Sequence, residues 1–143
     1  MGIKLEDKFK AWEEECRQRF ETLKHNEEEL NRIFIDIYGL QDELTPEVAD
    51  KDVTVRLADK EREIKSLISY FIGCIMGRYS LEQEGLVYAG GTFDASKYGD
   101  YVDADGVVPI YRFVGIENGL TTSICSMVKR VYGDTYYKEN LDF

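Results

Sequence analysis

The sequence predicts a mainly α fold. A long N-terminal helix packs on a central hydrophobic helix, with a small irregular β element and a C-terminal helix completing the chain. Three observations carry this reading. Residues 59–79 hold the most apolar window, with Ile64, Leu67, Ile68, Phe71, Ile72, Ile75, Met76 and Tyr79 at steps of three and four; that spacing makes one broad stripe on an α-helix. Residues 4–38 keep a heptad-like apolar pattern without a proline or glycine. The only two prolines, Pro46 and Pro109, fall between the helical stretches. With 143 residues, 43% of them apolar, the chain is expected to fold as one helical module over 1–143.

In the long helix, Phe9, Cys16, Leu23, Leu30 and Ile37 repeat every seven residues. The companion positions are Leu5, Trp12, Arg19, Asn26 and Ile33, two of them polar, so the seam is an imperfect coiled coil. Phe20 and Phe34 widen the stripe. Glu6–Lys10, Glu13–Arg17, Glu15–Arg19 and Glu28–Arg32 are Glu-first pairs four apart, each contributing ~0.3 kcal/mol to helix stability. Gly39 suits a left-handed cap, with Leu40 packing back on Ile35 in a Schellman ending. Residues 41–58 form a connection, in which Pro46 biases Thr45 away from helix and Val53-Thr54-Val55 reads as a short strand.

Asp59 is the expected N-cap of the central helix. Gly73 and Gly77 lie four apart within it, and each weakens a helix by ~1 kcal/mol relative to alanine. The expected reason to keep them is close approach of another backbone. A membrane Gly-x-x-x-Gly pair is the sharper alternative, opposed by Lys65, Arg78 and an apolar run below the ~18 residues of a span. Residues 85–110 lose helical periodicity; Leu86-Val87-Tyr88 and Val107-Val108 read as the β element. Helix returns over 119–132, with Leu120, Ile124, Val128 and Val131 on one side and Gly133 as cap. A short last turn follows.

The formal net charge of −10 repels phosphate backbones and anionic lipid. It is uneven. Residues 51–78 carry six Lys/Arg against four Asp/Glu, whereas 1–50 carry seven against fourteen and 79–143 five against ten. Any DNA contact is therefore expected from Arg56, Lys60, Arg62, Lys65 and Arg78. Against this stands the ordinary use of scattered Lys and Arg to decorate helix surfaces. Cys16, Cys74 and Cys125 are an odd set without CxxC spacing, which fits reduced thiols in an intracellular, cytoplasmic protein.

No catalytic or metal constellation stands out. His25, the only histidine, sits beside an acidic run on the long helix with no partner to orient it. Asp100, Asp103 and Asp105 precede Gly106 as in a calcium loop, but that register puts Tyr101 first and Arg112 twelfth, where a bidentate Glu is required. Gly90-Gly91-Thr92 lacks the Gly-Lys-Ser/Thr of a phosphate loop. Nine of the ten tyrosines lie from Tyr70 onward; in acidic surroundings they read as core and interface before base stacking, which wants a positive groove.

The run NEEELNRIFIDIYGLQDELTPEV, Asn26 to Val48, is followed by Arg56 and by IKSLISYFIGCIMGRYSLEQEGLVYAGG, Ile64 to Gly91. With the ending VYGDTYYKENLDF, Val131 to Phe143, these strings resemble the PglX family, adenine-specific DNA methyltransferases of the BREX phage-defence system. Restriction-modification methylases are similar in layout. The stretch from Tyr111 to Ser126 departs from the family pattern. The resemblance implies a region downstream of a methylase core that binds S-adenosylmethionine and holds the target adenine with an Asn-Pro-Pro-Tyr/Phe motif. Neither that motif nor a strand with a glycine-rich cofactor turn occurs here. The expectation is a non-catalytic helical spacer, without cofactor of its own, between methylase core and target recognition. The implied partners are the remainder of a methyltransferase polypeptide or another copy of the chain, with DNA contacted weakly if at all. The alternative is a stand-alone interaction module that dimerises through Leu5, Phe9, Trp12, Cys16, Phe20 and Leu23 of the long helix.

Overall fold

A computed structural model describes residues 2–103, 106, 108–110 and 119–143. Four α-helices follow in order: α1 (Leu5–Tyr38), α2 (Lys60–Ile75), α3 (Leu120–Tyr132) and α4 (Tyr137–Asp142). Two short 3-10 turns, Asp50–Asp52 and Ala95–Lys97, punctuate the connections. The mainly helical class, the long first helix and the C-terminal helix are as expected. The chain divides into two compact units, Met1–Glu6 with Glu61–Phe143, and Asp7–Lys60.

In the unit Asp7–Lys60, α1 ends as its sequence predicts. Gly39 takes φ +67°. The Leu40 N–H donates to the Ile35 carbonyl at 2.9 Å and the Gly39 N–H to the Asp36 carbonyl at 3.3 Å, the two bonds of a Schellman cap. Ile35, whose carbonyl closes this turn, is itself buried. The chain then runs back along α1. Asn31 donates to the Pro46 carbonyl at 3.2 Å, the Val48 N–H donates to Glu28 at 3.1 Å, and Lys24 reaches Asp50 at 2.6 Å. These contacts satisfy backbone groups that have no ladder to join, and they replace the expected strand: residues 53–55 pair with nothing as a strand, and Val53 instead caps the Asp50–Asp52 turn.

In the other unit, Phe71, Cys74 and Ile75 of α2 meet Met127 and Val128 of α3 in one buried cluster. Leu67, Tyr79, Leu81, Tyr101, Ile124, Tyr132 and Tyr137 pack around it. Four of the tyrosines, Tyr79, Tyr101, Tyr132 and Tyr137, thus serve the core. Helix α2 stops at Ile75 instead of running to residue 79. Gly77 adopts φ +75°. The Arg78 N–H donates to the Gly73 carbonyl at 2.7 Å and the Gly77 N–H to the Cys74 carbonyl at 3.0 Å, a second Schellman cap. Met76, expected in the buried stripe, is the residue just beyond α2, before Gly77, and is 51% exposed.

The two glycines are kept for side chains and not for a second backbone. A Cβ on Gly73 would stand 2.5 Å from the Tyr79 ring, and one on Gly77 2.8 Å from the Phe93 ring. The expected β element is absent among the described residues of 85–110; residues 107 and 104–105 lie outside them. In its place Val87 and Tyr88 both donate to the Arg78 carbonyl, so this loop hangs on the end of α2. Gly133 caps α3 at φ +81°, with Lys129 and Arg130 in the last turn, where cations favour the helix dipole. Among the described residues, no helix is long and apolar enough to cross a membrane.

Candidate functional site

The most organised polar cluster lies where the chain leaves α2. Ser80 is 2% exposed, and its Oγ sits 2.7 Å from the Lys97 carbonyl and 2.8 Å from the Glu82 carboxylate. The Glu82 N–H donates to that Oγ at 3.0 Å, and the Leu81 N–H donates to the Tyr101 hydroxyl at 2.8 Å. Tyr101 in turn donates to the Glu82 carboxylate. One consistent proton arrangement satisfies every member: Ser80 donates to Lys97, Tyr101 to Glu82. The hydrogen bond from Tyr101 holds the Glu82 carboxyl below the usual carboxylate range, against the opposing effect of burial. Outside the knot, Arg130 lies over the Tyr101 ring and pairs with Asp100. Beside it, burial raises the Cys74 thiol, which suppresses the thiolate needed for nucleophilic chemistry. Burial also pushes the Tyr70 hydroxyl up to about 12. A fully satisfied network of this kind rigidifies a loop; it leaves no group poised to take or give a proton.

The basic residues are divided between the units. Arg56 and Lys60 belong to Asp7–Lys60; Arg62, Lys65 and Arg78 belong to the other. Arg62 pairs with Glu63 at 2.7 Å and Lys65 with Glu61, so a phosphate would have to displace a carboxylate at each. Arg78 is exposed just past α2, its guanidinium over the Tyr79 ring at 5.9 Å. Along α2, then, the charges of Arg62 and Lys65 are matched by carboxylates of the same helix.

The residues expected to self-associate separate by burial. Leu5 is 8% exposed and Cys16 4%, and such side chains offer no surface to a second copy. Phe9, Phe20 and Leu23 are half-buried, and Trp12 is 37% exposed with Arg19 over its indole at 5.4 Å. Leu5 is held by the far end of the sequence. Its N–H donates to the Asn140 side chain at 2.8 Å, and Asn140 donates to the Ile3 carbonyl at 2.9 Å. The Ile3 N–H completes the tie on the Tyr132 carbonyl at 2.8 Å. Nothing in the sequence singles out Asn140 for this task.

A run of exposed apolar side chains lies at the other end of α1. Leu30, Phe34, Ile37 and Tyr38 are 54%, 53%, 68% and 70% exposed. Their spacing was legible as part of the heptad stripe; that this half stays uncovered was not.

Among the described residues no group of His, Cys, Asp and Glu is arranged to hold a metal ion. His25 is exposed on α1. Gly90 and Gly91 take φ +139° and +88° and lead into bends and a three-residue 3-10 turn. Without a preceding strand or a following helix N-terminus this glycine pair does not make a cofactor cradle.

No protein-family model matches the chain. It is 48% identical over 142 residues, 97% of its length, to the adenine-specific methyltransferase PglX of Lacticaseibacillus casei (strain Zhang). It is 31% identical over 147 aligned positions, 87% of its length, to the adenine-specific methyltransferase BrxX of Escherichia coli O9:H4 (strain HS). The chain spans 12% of the length of each of these relatives. The resemblance in the strings around Asn26–Val48 and Ile64–Gly91 thus extends along nearly the whole chain.

Proposed function

We propose that this chain, a relative of one segment of PglX-type adenine-specific methyltransferases, is a non-catalytic helical module that links a methylase core to DNA target recognition. The observation that carries this reading is the match of 97% of the chain to 12% of PglX. A segment of that size, built as two helical units whose polar cluster is internally satisfied, supplies shape and spacing in place of chemistry. Cofactor binding and adenine capture would belong to the remainder of a methyltransferase polypeptide, acting in the cytoplasm. DNA would meet this segment only through side chains such as Arg56 and Arg78.

A segment exchange tests the reading. The corresponding segment of the PglX relative is replaced by this chain, and methylation of adenine-containing duplex is read by transfer from labelled S-adenosylmethionine. A spacer leaves the host's target sequence unchanged and restores activity, while Phe71→Ala in the exchanged segment, which empties its core, lowers it. A chimera that methylates a different sequence would show that the segment reads DNA and would overturn the spacer role. Incorporation by the isolated chain above a buffer blank would overturn the non-catalytic reading.

A further inference from the structure

We propose that the C-terminal half of α1 is a docking face for a partner protein's amphipathic helix whose apolar stripe is flanked by Lys and Arg. Leu30, Ile33, Phe34, Ile37 and Tyr38 recur at the steps i, i+3, i+4, i+7 and i+8, the spacing by which one helix presents a single face to another. All five are at least 45% exposed. The Phe34 and Tyr38 rings stack with centroids 6.5 Å apart, making a flat aromatic shelf one turn long. Large aromatic side chains of this kind anchor interfaces. Another side of the same turns is already used: Ile35 is buried, and Glu28 and Asn31 hold the returning chain.

The rim decides the occupant. Glu27, Glu29 and Asp36 stand beside this stripe on α1, and the one Lys/Arg of residues 27–50 is Arg32. That arginine is already paired with Glu29. Two copies meeting on this face would bring together two such acidic rims, and like-charge juxtaposition opposes the pair. An anionic lipid surface or a nucleic acid is opposed for the same reason. A stripe bordered by Lys and Arg gains from both apolar burial and charge complementarity, and the second effect raises its rate of encounter.

The test titrates the full chain against two labelled helical peptides that share one Leu/Ile stripe, one flanked by Lys and Arg, the other by Glu. Anisotropy is expected to show the basic peptide binding about tenfold or more tighter than the acidic one, with the gap closing as salt rises. Phe34→Ala is expected to weaken the basic peptide by about tenfold, the usual cost of removing an aromatic anchor. It should leave the melting midpoint in place, because Phe34 is exposed. Glu27→Lys with Asp36→Lys should narrow the preference between the peptides. Equal binding of both peptides, binding of neither, or binding indifferent to Phe34→Ala would overturn the proposal. So would a concentration-dependent dimer in sedimentation that Phe34→Ala abolishes, since a second copy would then be the occupant.

Discussion

Two residues show how much of this fold hangs on single polar contacts. Asn140 ties the two ends of the chain, accepting from Leu5 and donating to Ile3 while only 6% exposed. Asn140→Ala leaves a buried N–H and a carbonyl without partners, at a cost of about 1–3 kcal/mol. For a chain of this size that lowers the melting midpoint by roughly 2–4 °C per kcal/mol. A thermal melt unchanged in Asn140→Ala would show that the tie does not bear on stability. Glu82 makes a pH-dependent contribution. The Tyr101 hydrogen bond depresses its carboxyl in the folded state below the ordinary value it regains on unfolding. The contribution is therefore present above the ordinary carboxylate range and is lost as pH falls through the folded value. The stability difference between wild type and Glu82→Gln should be largest near neutral pH and shrink on acidification. A difference constant with pH would contradict the role given to that hydrogen bond.

At the scale of elements, helix bodies were legible in the sequence and helix ends only in part. Periodicity placed α1 at 4–38 and α3 at 119–132, against the observed Leu5–Tyr38 and Leu120–Tyr132. Gly39 was readable as a cap because the apolar pattern stops there. Gly77 was not, because Met76 before it and Tyr79 after it both keep the apolar spacing across the turn. Tyr79 packs on the core from beyond the helix, so composition alone could not show where α2 ends. The two caps make a matched experiment. Gly39 and Gly77 both have positive φ, and a side chain there costs about 1–2 kcal/mol in backbone strain. A Cβ at position 39 meets nothing within 4 Å, whereas at 77 it meets the Phe93 ring at 2.8 Å. Gly39→Ala should cost the strain alone and Gly77→Ala more, as measured by chemical denaturation. Equal costs would mean that the Phe93 ring yields freely. The Ser80–Glu82–Tyr101 knot was not legible at all, since its members lie up to 21 residues apart in a stretch without periodicity. The returning chain along α1 was missed for a related reason: it is held by side chains on the backbone, without the alternation that marks a strand.

For the whole molecule, charge sets what is expected of an encounter with DNA. The chain carries −10, and its one net-positive stretch, 51–78, amounts to six cations against four anions. Composition placed the candidate cations there; it could not show that Arg62 and Lys65 are matched by Glu63 and Glu61 on the same helix. A phosphate contact at either must break an ion pair and approach an acidic surface. Each such contact that does form releases counterions, so the binding constant falls steeply with salt. Duplex DNA titrated with the isolated chain should therefore bind weakly in dilute buffer and be lost by about 200 mM salt, where phosphate-led contacts forfeit orders of magnitude. Arg78→Glu should weaken what binding there is, because Arg78 lies outside the paired turn of α2 and its guanidinium rests on a ring and not on a carboxylate. Tight binding that survives that salt, or that ignores Arg78→Glu, would require base or stacking contacts from elsewhere in the chain, and the segment would then be part of target recognition instead of a spacer leading to it.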